Sequence, residues 1–175
     1  MITTDFAPGS PCRLDLGTPD VRAGAAFYGA VLGWRYEAMG GAGEDAEGGM
    51  FRTDGRIVAG IGTLTEDGAR SAWMLYHSVT DADATTRAVE SAGGTVRVAP
   101  TDLDGWGRMA QVSDPQGGQF AVWQPGSTKG VELVDEPGSL CRTELYTSDA
   151  AAAEEFYGGV LGWRFSDMEL TAAAW

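Results

Sequence analysis

A repeat of 25 residues constrains the fold of this chain more than any other feature of its sequence. Residues 12–36 read CRLDLGTPDVRAGAAFYGAVLGWRY, and residues 141–165 read CRTELYTSDAAAAEEFYGGVLGWRF. At an offset of 129 residues the two copies are identical at 14 of 25 positions. So dense a set of identities at one fixed offset predicts that both copies adopt the same local structure.

The first copy begins as a strand. Leu14 and Leu16 alternate with polar residues, which is the pattern of a strand with one apolar and one polar face. Asp20 then predicts the start of a helix, because its carboxylate can accept hydrogen bonds from the first free backbone N–H groups.

The same copy continues as a helix and a second strand. Ala23, Phe27 and Val31 recur at intervals of four, which predicts an apolar ridge along the helix. Gly33 predicts its left-handed end, and the aromatic-rich residues 34–36 predict the next strand. In the second copy the corresponding residues are Asp149, Phe156 and Gly162.

Two modules of one kind follow from the spacing of the remaining signals. Asp54-Gly55 predicts a hairpin 35 residues after the first capping aspartate. Asp81 predicts a second helix cap, and Gly117, in a second turn, lies 36 residues further on. Each half therefore reads βαβββ, and two such sheets side by side enclose a cleft. The predicted fold class is α+β, with paired βαβββ modules forming an open eight-stranded barrel-like cleft.

The chain divides into four predicted parts. Residues 1–10 form an N-terminal tail without an assigned role, residues 11–125 a complete domain, residues 126–138 a polar, flexible linker, and residues 139–175 an incomplete second domain. The last part is an incomplete third βαβ module, because only 26 residues separate Asp149 from Trp175. Gly- and acid-rich residues predict a mobile loop over 39–49 and another loop over 66–70.

Composition narrows the classes of partner. Asp and Glu number 25 against 12 Lys and Arg, for a formal net charge of −13, which disfavours nucleic acid and anionic membrane surfaces. No apolar run is long enough to span a membrane, and the first residues lack the layout of a signal peptide, so we expect a cytoplasmic protein. Cys12 and Cys141 occupy equivalent repeat positions and are expected to be buried free thiols.

The motifs at the first helix and the second turn resemble those of a known superfamily. The run from Leu16 to Trp34 contains Phe27-Tyr28, and Asp114-Pro115-x-Gly117 precedes the last strand. Both resemble the vicinal oxygen chelate superfamily, which includes glyoxalase I, bleomycin-resistance proteins and extradiol dioxygenases. The likeness is closest to two-domain glyoxalase-like proteins often labelled hydroxylases, here with the second domain incomplete. This resemblance is specific for the fold and much less specific for the function.

The resemblance also implies where a metal ion would be held. Metal-using members would have histidines at the positions of Arg13 and Met74, and carboxylates at the positions of Ala59 and Ala121. None of these four side chains is the imidazole or carboxylate that a divalent metal needs in such a site, so we expect no metal and no other cofactor. The one histidine, His77, has the opposite strand parity and is expected to be a hydrogen-bonded core residue.

Strand parity predicts which side chains face the cleft. The predicted ligand-binding residues are Arg13, Asp15, Met74, Tyr76, Gln119, Ala121 and Trp123, with Trp106 at the mouth. Arg13 could stack on a planar ring or bind a carboxylate, or it could simply neutralise Asp15. Asp15 is the candidate general base, although an arginine beside it makes the carboxylate a weaker base.

Three functions remain open from the sequence. The leading hypothesis is metal-independent binding of a small, planar or aromatic organic molecule, for example to sequester an antibiotic or metabolite. The alternative is a glyoxalase-superfamily enzyme, namely a lyase, isomerase or oxygenase using Asp15 and Arg13 or an undetected metal. The third is a purely structural module. The unfinished third module further predicts a homodimer or other self-association through exposed edges and an apolar helix face.

Overall fold

A computed structural model describes residues 2–39, 48–64, 68 and 70–167 of the chain. Most of the loop predicted over 39–49, much of that over 66–70 and the last eight residues lie outside the described residues. The strands are β1 (Pro11–Thr18), β2 (Arg35–Ala38), β3 (Gly48–Thr53), β4 (Arg56–Thr63), β5 (Ala72–Ser78), β6 (Thr95–Leu103), β7 (Gly107–Ser113) and β8 (Gln119–Pro125). The helices are α1 (Val21–Leu32), α2 (Ala82–Ser91) and α3 (Ala150–Leu161).

The strands form one eight-stranded sheet in the order β2-β3-β4-β1-β5-β8-β7-β6. β1 pairs in parallel with β4, β5 pairs in parallel with β8, and β1 and β5 join the halves antiparallel to each other. Each half is a βαβββ unit, which we call module 1 (residues 11–63) and module 2 (residues 72–125). The predicted fold class is confirmed.

Aspartates begin all three helices, as predicted. The carboxylates of Asp20, Asp81 and Asp149 each accept a hydrogen bond from the backbone N–H three residues further on, at 2.8, 2.8 and 3.1 Å. Gly33 and Gly162 end α1 and α3 at φ values of 70° and 71°, which disfavour a side chain. The helix and its two caps are therefore the same in both copies.

The apolar ridge predicted along α1 is not its buried face. Ala23, Phe27 and Val31 are exposed, whereas Val21 is buried and Tyr28 packs beside the core of module 1. Spacing of four identifies an apolar stripe on a helix, but it does not identify the surface against which the stripe packs. Because α1 lies on its sheet through a neighbouring face, the ridge remains open to solvent.

Helix α3 packs on module 2 rather than on strands of its own copy. Phe156, Tyr157 and Leu161 are buried in one apolar cluster with Phe120 and Val122 of β8. The hydroxyl of Tyr157 also donates a hydrogen bond of 2.8 Å to the carboxylate of Asp114, in the turn before β8. α3 therefore lies beside α2 on the outer face of module 2.

The strands predicted for the third module do not join a sheet within the described residues. Residues 141–147 form no regular secondary structure and are exposed, and the described segment after α3 forms no ladder either. The nearest pairing is an isolated bridge between Val134 and Leu140. A strand is stabilised by a neighbour, and none is adjacent here, so only the helix of this module forms. Cys12 is buried as predicted, but the prediction was wrong for Cys141, which is exposed.

The tail and the linker are both packed against the sheet. Phe6 and Val131 are buried in a shared cluster, and Leu133 is buried in the core of module 1. The backbone N–H of Val131 donates to the Cys12 carbonyl at 2.8 Å, and that of Glu132 donates to the Ile57 carbonyl at 2.7 Å. The linker is therefore packed against the sheet, and the division into domains remains a prediction.

Among the described helices, none combines the length and the apolar composition needed to cross a bilayer.

Candidate functional site

The concave face of the sheet forms an open cleft of about 890 Å³. Strands of both modules line it, so the cleft lies between the two halves as predicted. Its lining includes Arg13, Asp15, Met50, Trp73, Met74, Tyr76, Trp106, Gln111 and Gln119. Volume and aromatic content suit a small organic molecule.

The structure brings most of the predicted site residues to this cleft. Arg13, Asp15, Met74, Tyr76, Trp106 and Gln119 all line it. Ala121 and Trp123 lie in the apolar cluster that also contains Tyr76, and neither is solvent-accessible. The part that each residue plays in binding stays a prediction.

An ion pair forms the polar floor of the cleft. The Nε atom of Arg13 donates to both carboxylate oxygens of Asp15, at 2.9 and 3.0 Å. The side chains are only 13% and 23% exposed. The guanidinium carbon also lies 5.4 Å from the ring centroid of Trp123 and 5.8 Å from that of Tyr76. Arg13 therefore neutralises Asp15, one of the two predicted alternatives, and it also lies over two aromatic rings of the protein itself. Contact of Arg13 with a ligand stays a prediction.

Burial and charge set the protonation states on this floor. Burial disfavours the Arg13 cation, but the Asp15 charge and hydrogen bonds outweigh it and raise the pKa of Arg13. Burial, reinforced by the Asp15 charge, raises the pKa of Tyr76. Arg13 is consequently a permanent cation and Tyr76 a neutral hydroxyl. Both carboxylate oxygens of Asp15 already accept hydrogen bonds from Arg13, and this does not favour Asp15 as a general base.

The prediction that Ala59 faces the cleft was wrong. The residue of β4 beside Asp15 is Gly60, and Ala59 is buried on the other face in the core beneath α1. A β-bulge explains the difference, because Val58 is an extra residue of β4 between the pairs Phe51–Ala59 and Arg52–Ile57. The bulge shifts the parity of the strand by one residue.

Gly60 provides the space that the ion pair occupies. A Cβ atom at this position would collide with the Asp15 carboxylate and would lie 3.1 Å from an Arg13 terminal nitrogen. A larger residue would therefore displace the pair from the floor of the cleft.

The residues present do not fit the metal ion that the resemblance implies. The corresponding positions hold Arg13, Met74, Ala121 and, after the register correction, Gly60, and none has a nitrogen or oxygen lone pair to give. Over the described ranges of the chain, no group of three or more His, Cys, Asp or Glu side chains is placed to hold a metal.

His77 is a core residue, as predicted. It is 2% exposed, its Nδ1 lies 3.3 Å from the Gly9 carbonyl oxygen, and its ring meets those of Phe120 and Trp163 edge to face. Burial lowers the pKa of His77 from 6.5 to about 4. The ring is therefore neutral near pH 7 and lies behind the sheet, away from the cleft.

Several lining residues were missed from the sequence. Met50 of β3 and Gln111 of β7 line the cleft, and Arg97 of β6 donates a hydrogen bond to Gln119 at its edge. Strand parity along the third, sixth and seventh strands is the signal that could have found them. Trp73 was missed for a different reason, since it alternates with Met74 near the start of β5 and yet lines the cleft, with its indole N–H donating to Tyr28 at 2.9 Å.

Paired βαβββ modules around an open cleft define the class of protein, and comparisons with known proteins agree. A family profile described as a glyoxalase-like domain matches residues 13–123. The chain belongs to this glyoxalase-like family. Anthracycline biosynthesis protein DauV of Streptomyces sp. (strain C5) is 40% identical over 175 residues, covering 91% of this chain and 62% of DauV. The chain thus spans less than two thirds of that relative's length.

Solved structures show the same fold. The Mn(II)-bound glyoxalase of Novosphingobium aromaticivorans superposes with a TM-score of 0.62 at 22% identity, covering 90% of this chain and 54% of the other. The 2,2',3-trihydroxybiphenyl 1,2-dioxygenase of Sphingomonas wittichii strain RW1 gives 0.59 at 16% identity, covering 89% and 57%. The predicted resemblance to the vicinal oxygen chelate superfamily is confirmed.

Proposed function

We propose that the cleft binds a planar, polycyclic aromatic molecule without a metal ion. The observation that carries this proposal is the Arg13–Asp15 pair, a fixed cation stacked on aromatic rings at the floor of a cleft of about 890 Å³. A guanidinium plane can stack on an aromatic ligand and donate hydrogen bonds to its oxygens. Trp106 and Met74 add an aromatic and an adaptable apolar wall.

The name of one relative narrows the ligand class. DauV is named as an anthracycline biosynthesis protein. Anthracyclines have a planar system of fused rings bearing carbonyl and phenolic oxygens, which matches an aromatic cleft with a cationic floor. We therefore propose an anthracycline-type aromatic compound, or a biosynthetic precursor of one, as the ligand of the whole protein.

Quenching of tryptophan fluorescence by polycyclic quinones and phenols tests this proposal. Arg13→Gln is expected to weaken binding by roughly tenfold, because the stacking cation is lost. Arg142→Gln is the matched control, since Arg142 is the repeat equivalent of Arg13 but its side chain is 70% exposed on residues 141–147. Binding that is absent, or equally weakened by both changes, would contradict the proposal.

Two further measurements separate binding from catalysis. Mass spectrometry of the ligand after incubation should recover it unchanged, and conversion to a product would favour the enzymatic alternative with Asp15 and Arg13. Metal analysis of the purified protein should find less than stoichiometric metal. Stoichiometric metal retained through dialysis, and lost in Asp15→Asn, would overturn the metal-independent proposal.

We also propose that the chain self-associates through residues 141–147. This segment has no strand partner and is exposed, and it carries Leu145 at 41% and Tyr146 at 85% exposure. Exposed strand edges pair readily with other chains. Sedimentation should show association that Tyr146→Pro abolishes, and a monomer at high concentration would contradict it.

A further inference from the structure

Helices α1 and α3 have nearly the same sequence but opposite exposure. Phe27 of α1 is 58% exposed, whereas its counterpart Phe156 of α3 is 3% exposed. Leu32 is 41% exposed and its counterpart Leu161 is 7% exposed, while Val31 of α1 reaches 60%. We call Phe27, Val31 and Leu32 the open α1 face. It is the face that α3 buries against module 2.

Two hydrogen bonds relate the copies reciprocally. The indole N–H of Trp34 donates to the Gly138 carbonyl at 2.7 Å, and that of Trp163 donates to the Gly9 carbonyl at 2.8 Å. Each tryptophan lies in one copy and each glycine directly before the other copy. Donors and acceptors are both separated by the repeat offset of 129 residues, and Pro-Gly-Ser occurs at 8–10 and again at 137–139.

Such an exchange of identical contacts is the mark of an approximate twofold axis. In an isologous interface, residue i of one unit contacts residue j of the other, and residue j contacts residue i. Residues 9–36 and 138–165 follow this rule, because the tryptophan of each range donates a hydrogen bond to the glycine of the other. The rule is broken at the helices, because α3 meets the outer face of module 2 and α1 meets no equivalent surface among the described residues.

We propose that the open α1 face is a docking surface for the outer face of another βαβββ module. Relative to the second copy, that module would occupy the position that module 2 occupies relative to the first copy. Its outer face would be apolar, like the surface that α3 covers here, which consists of Val79, Val89, Val112, Phe120 and Val122. Helix α1 is suited to pack on such an apolar face, because it contains no acidic residue although the chain has a net charge of −13.

A second copy of this chain does not provide the required surface. Its module 2 is already covered by its own α3, whose Phe156 and Leu161 occupy the place that α1 would need. The occupant is therefore a further module joined after the second copy, rather than the second chain of a homodimer.

Thiol labelling tests this docking in an extended chain. Residues 37–125 are placed again after Phe165, which completes the second copy with this chain's own modules. Val31→Cys, in a Cys141→Ser background, reports on the open α1 face, since Cys12 is buried. Labelling should be at least roughly tenfold slower in the extended chain than in the original, which corresponds to about 1.4 kcal/mol of protection.

Glu90→Cys is the matched control, because this residue lies on the exposed side of α2. It should label equally fast in both chains. Equal labelling at position 31 in a folded extended chain would overturn the proposal. Protection that rises with the concentration of the original chain would also overturn it, in favour of a second copy.

A second measurement needs no added module. Phe156→Ala with Leu161→Ala loosens α3 in the original chain and opens the outer face of module 2 to α1 of another molecule. Labelling at position 31 should then slow as concentration rises, and Tyr146→Pro should leave that effect in place. A variant that retains its sheet but labels at a concentration-independent rate would contradict the proposed complementarity.

Discussion

The two copies of the repeat form the same helix and use it differently. Tyr28 in α1 accepts a hydrogen bond from Trp73 at 2.9 Å, whereas its counterpart Tyr157 in α3 donates one to Asp114 at 2.8 Å. The first copy continues from a central strand of the sheet, and the second follows an unpaired segment. Caps and helix are local properties of the repeat, whereas the buried face depends on which sheet lies beside it.

The largest difference between the copies should appear in the phenylalanines. Phe156→Ala is expected to lower the free energy of unfolding by about 3–5 kcal/mol, because it leaves a cavity in the cluster of α3 and module 2. Phe27→Ala should cost less than about 1 kcal/mol, since that ring is already half in water. Urea denaturation measures both. Equal losses would mean that α1 and α3 are packed alike.

The contact between the second copy and module 2 should also depend on pH. Trp163 of the second copy stacks edge to face on His77, whose pKa burial lowers from 6.5 to about 4. Below pH 6.5 His77 binds a proton in the unfolded chain but stays neutral in the folded chain. The free energy of unfolding therefore falls as pH falls from 6.5 towards 4. The full effect is roughly 3 kcal/mol.

His77→Phe tests this dependence, because it keeps a ring at the site and removes the titration. Urea denaturation from pH 7 to pH 4 should show a shallower loss of stability for the variant than for the unchanged chain. Parallel pH profiles would mean that the loss of stability at low pH comes from the carboxylates rather than from His77.

Much of the fold was predictable because its signals are local. The capping aspartates at 20, 81 and 149 and the turn glycines occur at fixed offsets, and each acts on the residues next to it. Spacing alone therefore gave the order βαβββ twice. The third module fails for a non-local reason, since the strand at 141–147 needs a neighbour that no local pattern supplies.

The candidate site was predictable as far as strand parity held. Arg13, Met74 and Tyr76 lie where alternation places them, but the bulge at Val58 moved Gly60 into the place predicted for Ala59. A bulge changes parity without changing the residue pattern, so sequence alone could not reveal it. The packing role of Gly9 has a signal in the sequence, because Pro-Gly-Ser at 8–10 recurs at the repeat offset.

The arginines of the two copies should differ more modestly than the phenylalanines. Arg13→Gln is expected to cost roughly 2 kcal/mol of stability, because it leaves Asp15 unpaired at 23% exposure. Arg142→Gln should change stability by less than about 0.5 kcal/mol, since the Arg142–Glu144 pair is exposed. Thermal denaturation at matched pH compares them. A large effect at Arg142 would indicate that residues 141–147 are packed in solution.

The smallest expected difference between the copies belongs to the two tryptophans, where the two losses of stability should agree. Trp34→Phe and Trp163→Phe each remove one indole hydrogen bond to a glycine carbonyl while keeping an aromatic ring. Each should cost about 1 kcal/mol, the usual net contribution of such a bond. Urea denaturation of both variants makes the comparison, with Trp73→Phe as a control for an exposed indole bond. Because the approximate twofold axis rests on these reciprocal bonds, a loss at one tryptophan without a matching loss at the other would contradict it.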